Sequence, residues 1–406
     1  MKATMVGSRK GANIRIITGT ILGGILGFFV MHRVETSYKV VFEDVFIARD
    51  SGTLEQLKEL SSRRRAVEES INENNFITRA IAREMAGGLT SHNEQDLQKL
   101  ERYLPLLENF VAHVESVSNN QQMVRWTSDL MIRWSSALCA SPVFSFMGPK
   151  FFRIDNLHFE LSMTLFLYGA LLRERASEVL KEDLVQSATL YRKAAGVYDH
   201  LANEILPSLQ PDLAKDRIPE ATPSMSTIMS LICLAEAQAV TIRKAEEKGT
   251  TKSLLAKLHC GITQSLDEAT DILYSTMGDC NDISMRFLDY IPACRALHEL
   301  KSQKHLAEDL SVDQVGVAIG VLHHALAISQ EKMPGEEAWC LVFREEMDAM
   351  SEMLRKLEHE NEIVWHQKVC SDGKLPSLQG MKIVKAIPYC SQSWERELVF
   401  KIPENE

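Results

Sequence analysis

Histidines, cysteines and carboxylates are the side chains most able to do chemistry in this sequence, and their spacing does not assemble a site. His323 and His324 are adjacent in a predicted helix, with no acidic residue three or four positions away. Glu362 and His366 are one helical turn apart, but a single carboxylate–histidine pair is more often a surface hydrogen bond than a ligand set. The eight cysteines include no Cys-x-x-Cys pair and no cysteine–histidine cluster, so the sequence predicts no metal site.

Motifs that mark common catalytic sites are also missing from the sequence. GxSxG, GxGxxG and HExxH do not occur, and the nearest approach to a phosphate-binding loop, Gly249 to Lys252, lacks the required glycine spacing. That stretch follows a predicted helix rather than a strand, so it is interpreted as a turn between helices. We therefore expect a protein that is not an enzyme, with no catalytic residue, no cofactor and no small-molecule substrate.

Charge and composition narrow the class of partner. The formal net charge of −10 argues against nucleic acid, because neutralising phosphates requires a basic face. Hydrophobic residues make up 45% of the chain, which is enough for a sizeable core. The scattered cysteines, several of them in apolar helical stretches, favour a reduced cytosolic environment. These properties favour a cytoplasmic protein that does not bind nucleic acid.

The elements expected to build this protein are helices. Apolar residues recur every three to four positions from Leu54 onward, and the breaks between the helical stretches carry proline and glycine. Short extended stretches are predicted only near the ends, at Lys39 to Ala48, Lys382 to Ile387 and Glu397 to Ile402. The fold class is therefore all-α, one elongated domain of helix pairs packed in series with a few short β-strands at the ends. The predicted helices cover residues 53–72, 93–118, 157–180, 184–205, 224–247, 251–275, 283–306, 312–330 and 336–366.

The first 36 residues differ from the helical domain expected over 37–406. An apolar run from Ile16 to Met31 is flanked by basic residues, and Gly19, Gly23 and Gly27 repeat at a spacing that allows close helix pairing in a membrane. The run is short for a membrane span of about 20 residues. Three interpretations stay open: an anchor through which residues 14–33 contact a membrane, a cleaved signal or organelle-targeting peptide, and an alternative first exon with no role.

Two stretches carry a resemblance to a known family. Residues 187–201 read SATLYRKAAGVYDHL, in which Ala194, Ala195 and Gly196 allow neighbouring helices to approach closely. Residues 230–258 match a signature of the same family without a gap at Leu234, Ala235, Ala237, Gln238, Lys244, Ala245, Ala256, Lys257 and Leu258. The sequence resembles the Bro-one (Alix-like) endosomal-targeting domain family, and it looks closest to the plant-type members that consist of a Bro domain only. This resemblance implies an elongated curved helical solenoid of TPR-like helix pairs.

Further stretches agree with this family in the same order along the chain. They are Arg133-Trp134, residues 158–176, Gln314 to Ala325 and Asn361 to Val369, so that the resemblance covers about residues 40–400. Departures are present as well: Glu236 and Ala239 stand where the family has glutamine and glutamate. No Pro-rich tail follows the helices, so we expect the partners that bind such tails in longer members to be missing.

The resemblance implies a function in membrane traffic at endosomes and multivesicular bodies. Bro domains bind the C-terminal amphipathic helix of ESCRT-III subunits in an apolar groove, and the gapless match carries the groove positions to Thr241, Leu254 and Leu258. Thr241 departs from the bulky aromatic that is usual there. The expected function is a non-enzymatic adaptor on the cytoplasmic face of endosomal membranes. The alternatives are a Bro-fold scaffold for a different helix or a membrane surface, and a generic helical-repeat interaction protein.

Overall fold

The computed structural model describes residues 40–72, 92–117, 120–139, 151–153, 156–209, 218–276, 283–391 and 396–401. The candidate membrane segment, with Ile16, Gly19, Gly23, Gly27 and Met31, lies outside these residues and stays a prediction. Within them the chain is almost entirely helical. The helices are α1 (Phe42–Val45), α2 (Ser51–Asn72), α3 (His92–Ser116), α4 (Gln121–Asp129), α5 (Leu157–Val179), α6 (Leu184–His200), α7 (Pro223–Glu247), α8 (Lys252–Thr276), α9 (Met285–Leu310), α10 (Val315–Glu331) and α11 (Glu337–Glu360).

Two of these helices end in a wider helical turn. The α6 helix runs on through a π-helical turn, Leu201–Ile205, into a last α-helical turn, Leu206–Leu209. The α11 helix ends in a similar turn, Asn361–Trp365, after which His366 adopts a left-handed backbone conformation. The nine helices predicted from the apolar spacing all correspond to observed helices, whereas the short helices α1 and α4 were not predicted.

The boundaries of the central helices follow from local sequence. Asn156 and Asp183 cap α5 and α6, each with a side chain that accepts hydrogen bonds from the first backbone N–H groups of the helix. Thr222 caps α7 in the same way, and Pro223 occupies the first position of that helix, where no backbone donor is needed. The chain leaves α7 at Gly249, whose φ of 73° lies in the left-handed region that glycine adopts without strain.

The long helices pack in chain order, each mainly against the one before and the one after it. This series runs from α2 and α3 through α5, α6, α7, α8, α9 and α10 to α11. The predicted all-α solenoid is confirmed. The α7 helix is the one described helix that is long and apolar enough to cross a membrane, but 72% of its most apolar window is buried between its neighbours. It is the central core helix of the solenoid.

The strands differ from the prediction. An antiparallel pair, β1 (Arg133–Ser135) and β2 (Phe151–Arg153), lies between α4 and α5 rather than at an end of the chain. The predicted strand at Lys39 to Ala48 instead contains the helix α1, from which Phe42 packs edge-on against Phe110. Phe42 fills the core from this helix, whereas Phe46 reaches the core from the extended residue that follows it. Ala48 makes an isolated antiparallel bridge to Phe400. The prediction of strands at both ends is wrong apart from this bridge.

The chain after α11 returns along the whole solenoid. This return segment, residues 366–391 and 396–401, is extended apart from one 3-10 turn, Asp372–Lys374. Backbone hydrogen bonds tie it in turn to the carbonyl oxygens of Gly316 in α10, Lys257 in α8 and Arg192 in α6. Near its end the Val399 N–H donates to the Thr53 hydroxyl in α2, at 3.0 Å. The return segment therefore connects the last helices of the solenoid to the first.

Candidate partner-binding groove

A groove of about 410 Å³ opens on the surface where the return segment crosses α6 and α7. Its lining combines apolar, hydroxyl and basic side chains from these three elements. Those residues are Leu184, Val185, Ala188, Thr189 and Arg192 of α6, Val240, Thr241 and Lys244 of α7, and Ile383, Val384 and Lys385 of the return segment. Among these lining residues there is no histidine, cysteine or carboxylate.

Apolar side chains form the floor and the rim of the groove. Val384 packs with Ala188 against a small buried core to which Val240 and Tyr191 belong. On opposite sides of the opening, Val185 is 52% exposed and Ile383 is 47% exposed. Two large aliphatic side chains beside one concave surface leave apolar area for another protein to cover.

The Gln238 side chain fixes one end of the wall that the return segment contributes. Its amide nitrogen donates to the carbonyl oxygen of Leu258 at 2.7 Å and to that of Met381 at 3.0 Å. Its amide oxygen accepts from the backbone N–H of Ile383 at 3.0 Å. Because Gln238 is buried, these bonds replace lost water contacts and hold Ile383 in register beside α7.

Arg192 and Gly196 of α6 fix the other end of this wall. The Arg192 guanidinium donates to the Lys385 carbonyl oxygen at 2.8 Å, and the Arg192 carbonyl accepts from the Ile387 N–H at 2.9 Å. The backbone of Ile387 passes so close to Gly196 that a Cβ there would overlap the Ile387 carbonyl oxygen. The small residue predicted to bring helices together therefore admits the return segment instead.

The charges of the groove contrast with those of the whole chain. Its charged lining residues are all basic, namely Arg192, Lys244 and Lys385. The chain as a whole carries a formal net charge of −10. A local basic surface on an acidic protein favours a partner whose apolar stripe is accompanied by acidic side chains.

The structure brings one of the three predicted groove residues into this groove. Thr241 is half-buried and lines it, with its hydroxyl donating to the Ala237 carbonyl oxygen at 2.8 Å. Leu254 lies in the first turn of α8 and is half-buried, in agreement with the partial exposure expected from the family match. The same expectation is wrong for Leu258, which is 3% exposed because its side chain joins the main core.

The burial of Leu258 changes how the groove should be tested. An aspartate at that position would place a charge in the core and unfold the domain, so loss of binding would carry no information about the groove. Neither Leu254 nor Leu258 is among the residues that line the observed opening. Their place in partner binding remains a proposal.

Sequence reasoning missed the residues that give the groove its apolar rim. Val185 follows the Asp183 cap of α6 and faces away from the core, and Ile383 belongs to an extended stretch whose position on the solenoid has no local signal. The stretch Lys382 to Lys385, with two aliphatic residues between two lysines, shows no alternation that would mark one face as exposed. Only the folded chain places this stretch beside Thr241.

Known proteins match this chain in sequence. The family model described as the BRO1-like domain matches residues 58–403. Programmed cell death 6-interacting protein of Xenopus laevis is 23% identical over 300 residues, which cover 71% of this chain and 33% of that protein. The BRO1 domain-containing protein BROX of Xenopus tropicalis is 24% identical over 347 residues, which cover 77% of each chain. The match thus spans about a third of the first relative and most of the second.

Solved structures also superpose on this fold, at similarly low sequence identity. A structure described as an ALIX BRO1 CHMP4C complex superposes with a TM-score of 0.66 at 18% identity, covering 89% of this chain and 96% of that one. A second, described as the structure basis for endosomal targeting by the Bro1 domain, gives a TM-score of 0.61 at 16% identity over 90% of this chain. With a family model that matches nearly all of the described helices, this chain belongs to the BRO1-like domain family.

Proposed function

We propose that this chain is a non-enzymatic adaptor in ESCRT-linked endosomal membrane traffic, and that its groove binds the C-terminal amphipathic helix of an ESCRT-III subunit. The observation that carries the proposal is the open groove between α6, α7 and the return segment, which is apolar at its floor and rim and basic in all its charged lining residues. Support comes from a relative of the same fold that was solved as a complex with CHMP4C.

The chemistry of the groove suits an amphipathic helix. A helix presents apolar side chains at positions i, i+3, i+4 and i+7 on one face, and Val185 and Ile383 offer it exposed aliphatic surface. Acidic side chains beside that face would pair with Arg192, Lys244 and Lys385. In this proposal Thr241 contacts the helix directly, Leu254 contributes at the start of α8, and Leu258 supports the surface from beneath.

Thr241 also supports a second candidate function within the same family. A threonine fills less of the groove than the aromatic side chain usual at this position, so a partner with a larger apolar residue would be accommodated better. A Bro-fold scaffold for a different helix, or for a membrane surface, is therefore the second candidate.

A binding panel separates these candidates. Fluorescent peptides for the C-terminal helices of several ESCRT-III subunits are titrated into the full chain, each beside a scrambled peptide of the same composition. The proposal expects at least one native helix to bind with a dissociation constant near the micromolar range, about 8 kcal/mol, and its scrambled form to bind much more weakly. If every native peptide binds like its scrambled control, the ESCRT-III assignment fails and the second candidate stands.

We also propose that residues 37–406 form the Bro-like domain and that residues 14–33 attach it to the cytoplasmic face of an endosomal membrane. The basis is the apolar run Ile16 to Met31 and its glycine spacing. In cells, the full chain should remain in the membrane pellet after alkaline carbonate extraction, whereas residues 37–406 alone should be released. Equal release of both would remove the anchor from the proposal and leave the groove untouched.

A further inference from the structure

A cluster of histidine and carboxylate side chains joins three consecutive helices on a part of the solenoid that the groove does not use. Glu246 ends α7, His259 lies in α8 and His305 in α9, and one donor atom of each lies within 4.8 Å of the others. Glu246 and His259 also line a cavity of about 70 Å³ enclosed by the same three helices. That volume has room for an ion and a water molecule.

The His305 ring is oriented by a partner on its Nδ1 atom. Nδ1 lies 2.9 Å from a carboxylate oxygen of Glu308, which also accepts from the Lys252 ammonium at 2.8 Å. A carboxylate only accepts, so Nδ1 carries the hydrogen and donates it to Glu308. The other ring nitrogen, Nε2, is left facing a carboxylate oxygen of Glu246 at 3.4 Å. A carboxylate hydrogen-bonded to one imidazole nitrogen while the other faces a ligand position is the usual arrangement around a metal-binding histidine.

His259 is likewise held through one ring nitrogen, while its other ring nitrogen faces the protein interior. Its Nδ1 lies 3.0 Å from Nδ1 of His298, and its Nε2 is buried and has no hydrogen-bond partner. When Nδ1 of His259 donates to His298, Nε2 presents an electron pair to the protein interior, where no hydrogen-bond partner satisfies it. A buried polar atom without a partner destabilises a fold, and a bound ion would supply that partner.

We propose that Glu246, His259 and His305 bind a divalent transition-metal ion of the zinc class. Imidazole nitrogen and carboxylate oxygen are ligands that such ions accept, at bond lengths of about 2.0–2.2 Å. In a tetrahedral site these bonds separate neighbouring ligand atoms by roughly 3.4 Å, which agrees with the 3.4 Å between His305 Nε2 and Glu246. The donor atom of His259 lies within 4.8 Å of those of Glu246 and His305. In the proposed site His259 supplies the third protein ligand, and a water molecule from the adjoining cavity supplies the fourth.

The cations around the cluster are each matched by a carboxylate. Lys252 pairs with Glu308, and Lys301 and Lys304 both approach Glu346, at 3.6 and 2.8 Å. Arg243 lies 3.7 Å from Glu247 through its Nε atom, while one of its terminal guanidinium nitrogens is buried without a hydrogen-bond partner beside the cavity. The lysines are thus compensated by acidic groups outside the proposed ligand set, which leaves Glu246 as the carboxylate available to the ion.

The test is a titration of the metal-stripped full chain with Zn²⁺ by calorimetry, repeated with Co²⁺ in an absorption spectrometer. We expect one equivalent to bind. Loss of a residue that only hydrogen-bonds to a metal ligand typically weakens metal binding roughly 10- to 100-fold. Glu246→Gln and His305→Gln, which remove ligands themselves, should each weaken Zn²⁺ binding by at least that much. The exposed position of Glu246 at a helix end makes its variant safe for folding. The matched control is His323→Gln, which removes an exposed histidine paired with Glu358 at 2.9 Å and should leave affinity unchanged.

The Co²⁺ spectrum distinguishes this site from adventitious binding at the free cysteines. The proposed ligands are nitrogen and oxygen, so the complex should show ligand-field bands in the visible range and no thiolate-to-cobalt charge transfer in the near ultraviolet. Absence of a one-equivalent site, wild-type affinity in both ligand variants, or a thiolate charge-transfer band would each overturn the proposal.

Discussion

Arg173 and Glu236 form a buried ion pair that joins α5 to α7. The Arg173 Nε atom donates to one Glu236 oxygen at 2.8 Å, and the Tyr290 hydroxyl of α9 donates to the other oxygen at 2.8 Å. All three side chains are within the core. Burial alone would lower the pKa of Arg173, but the attraction of Glu236 reverses this and holds it well above its ordinary value, so the guanidinium stays charged. The departure of Glu236 from the glutamine usual in the family is therefore matched by a cation on the neighbouring helix.

Restoring the family's glutamine at this position should destabilise the protein. Glu236→Gln removes the carboxylate that the buried Arg173 guanidinium faces, and breaking such a pair costs about 3–5 kcal/mol. Urea unfolding followed by circular dichroism measures the loss. The double variant Glu236→Leu with Arg173→Met removes both charges and should be more stable than the single variant. A single variant as stable as the original chain would show that the pair contributes nothing.

Thr241 is the side chain that sets the depth of the groove. Thr241→Phe should tighten binding of the ESCRT-III helix by roughly 1–2 kcal/mol, because an aromatic ring adds buried apolar area at a half-buried position. Thr241→Ala is the control, since it removes the hydroxyl without adding area and should not tighten binding. Anisotropy titration of the same peptide compares the three proteins. Weaker binding by the phenylalanine variant would mean that the floor has no room for a ring.

At the scale of elements, the return segment decides where the groove lies. Its contact with the helices depends on glycines that leave space for its backbone, at Gly196 in α6 and Gly261 in α8. A Cβ at either position would overlap a carbonyl oxygen of the segment, that of Ile387 or that of Met381. Backbone hydrogen bonds and close packing thus hold the return segment against the surface of these helices.

Gly196→Ala should loosen this element without disrupting the helix that carries it. Overpacking costs typically 1–3 kcal/mol, and the segment is the part that can move away. The expected result is lower stability in urea together with faster proteolytic cleavage between residues 380 and 391. Gly335→Ala is the matched control, because a Cβ there meets nothing within 4 Å and should change stability by no more than about 0.5 kcal/mol. Unchanged cleavage in the Gly196 variant would mean that the segment is not held there.

The helices could be predicted from the sequence because their signal is local. Apolar residues at three- to four-residue spacing and caps such as Asp183 and Thr222 act within one or two turns. The strand prediction at Lys39 to Ala48 failed because aromatic residues suit a helix that packs into the core equally well. The groove could be predicted only in part. Thr241 lies within a continuous motif, whereas Ile383 reaches it through a chain path of more than a hundred residues that no local pattern encodes.

At the scale of the whole molecule, an acidic protein carries a basic groove. A net charge of −10 discourages non-specific contact with nucleic acid and with anionic surfaces, while the three basic residues of the groove act only at short range. The proposed partner combines acidic side chains with an apolar face that fits the opening. The exposed aliphatic rim is the part of the groove that such a face would bury, and Ile383 is the rim residue that the return segment supplies.

The most direct test of this account is the affinity of an ESCRT-III C-terminal helix for the full chain and for two variants. Ile383→Asp places a charge on the groove rim and should weaken binding by at least about 2 kcal/mol, roughly 30-fold. Ile363→Asp changes an exposed isoleucine that does not line the groove, and binding should match that of the original chain. Both variants should unfold like the original chain, because both side chains are exposed. Equal affinity for all three proteins would contradict the groove as the binding site, and a loss confined to Ile363→Asp would place the site on the π-helical turn after α11.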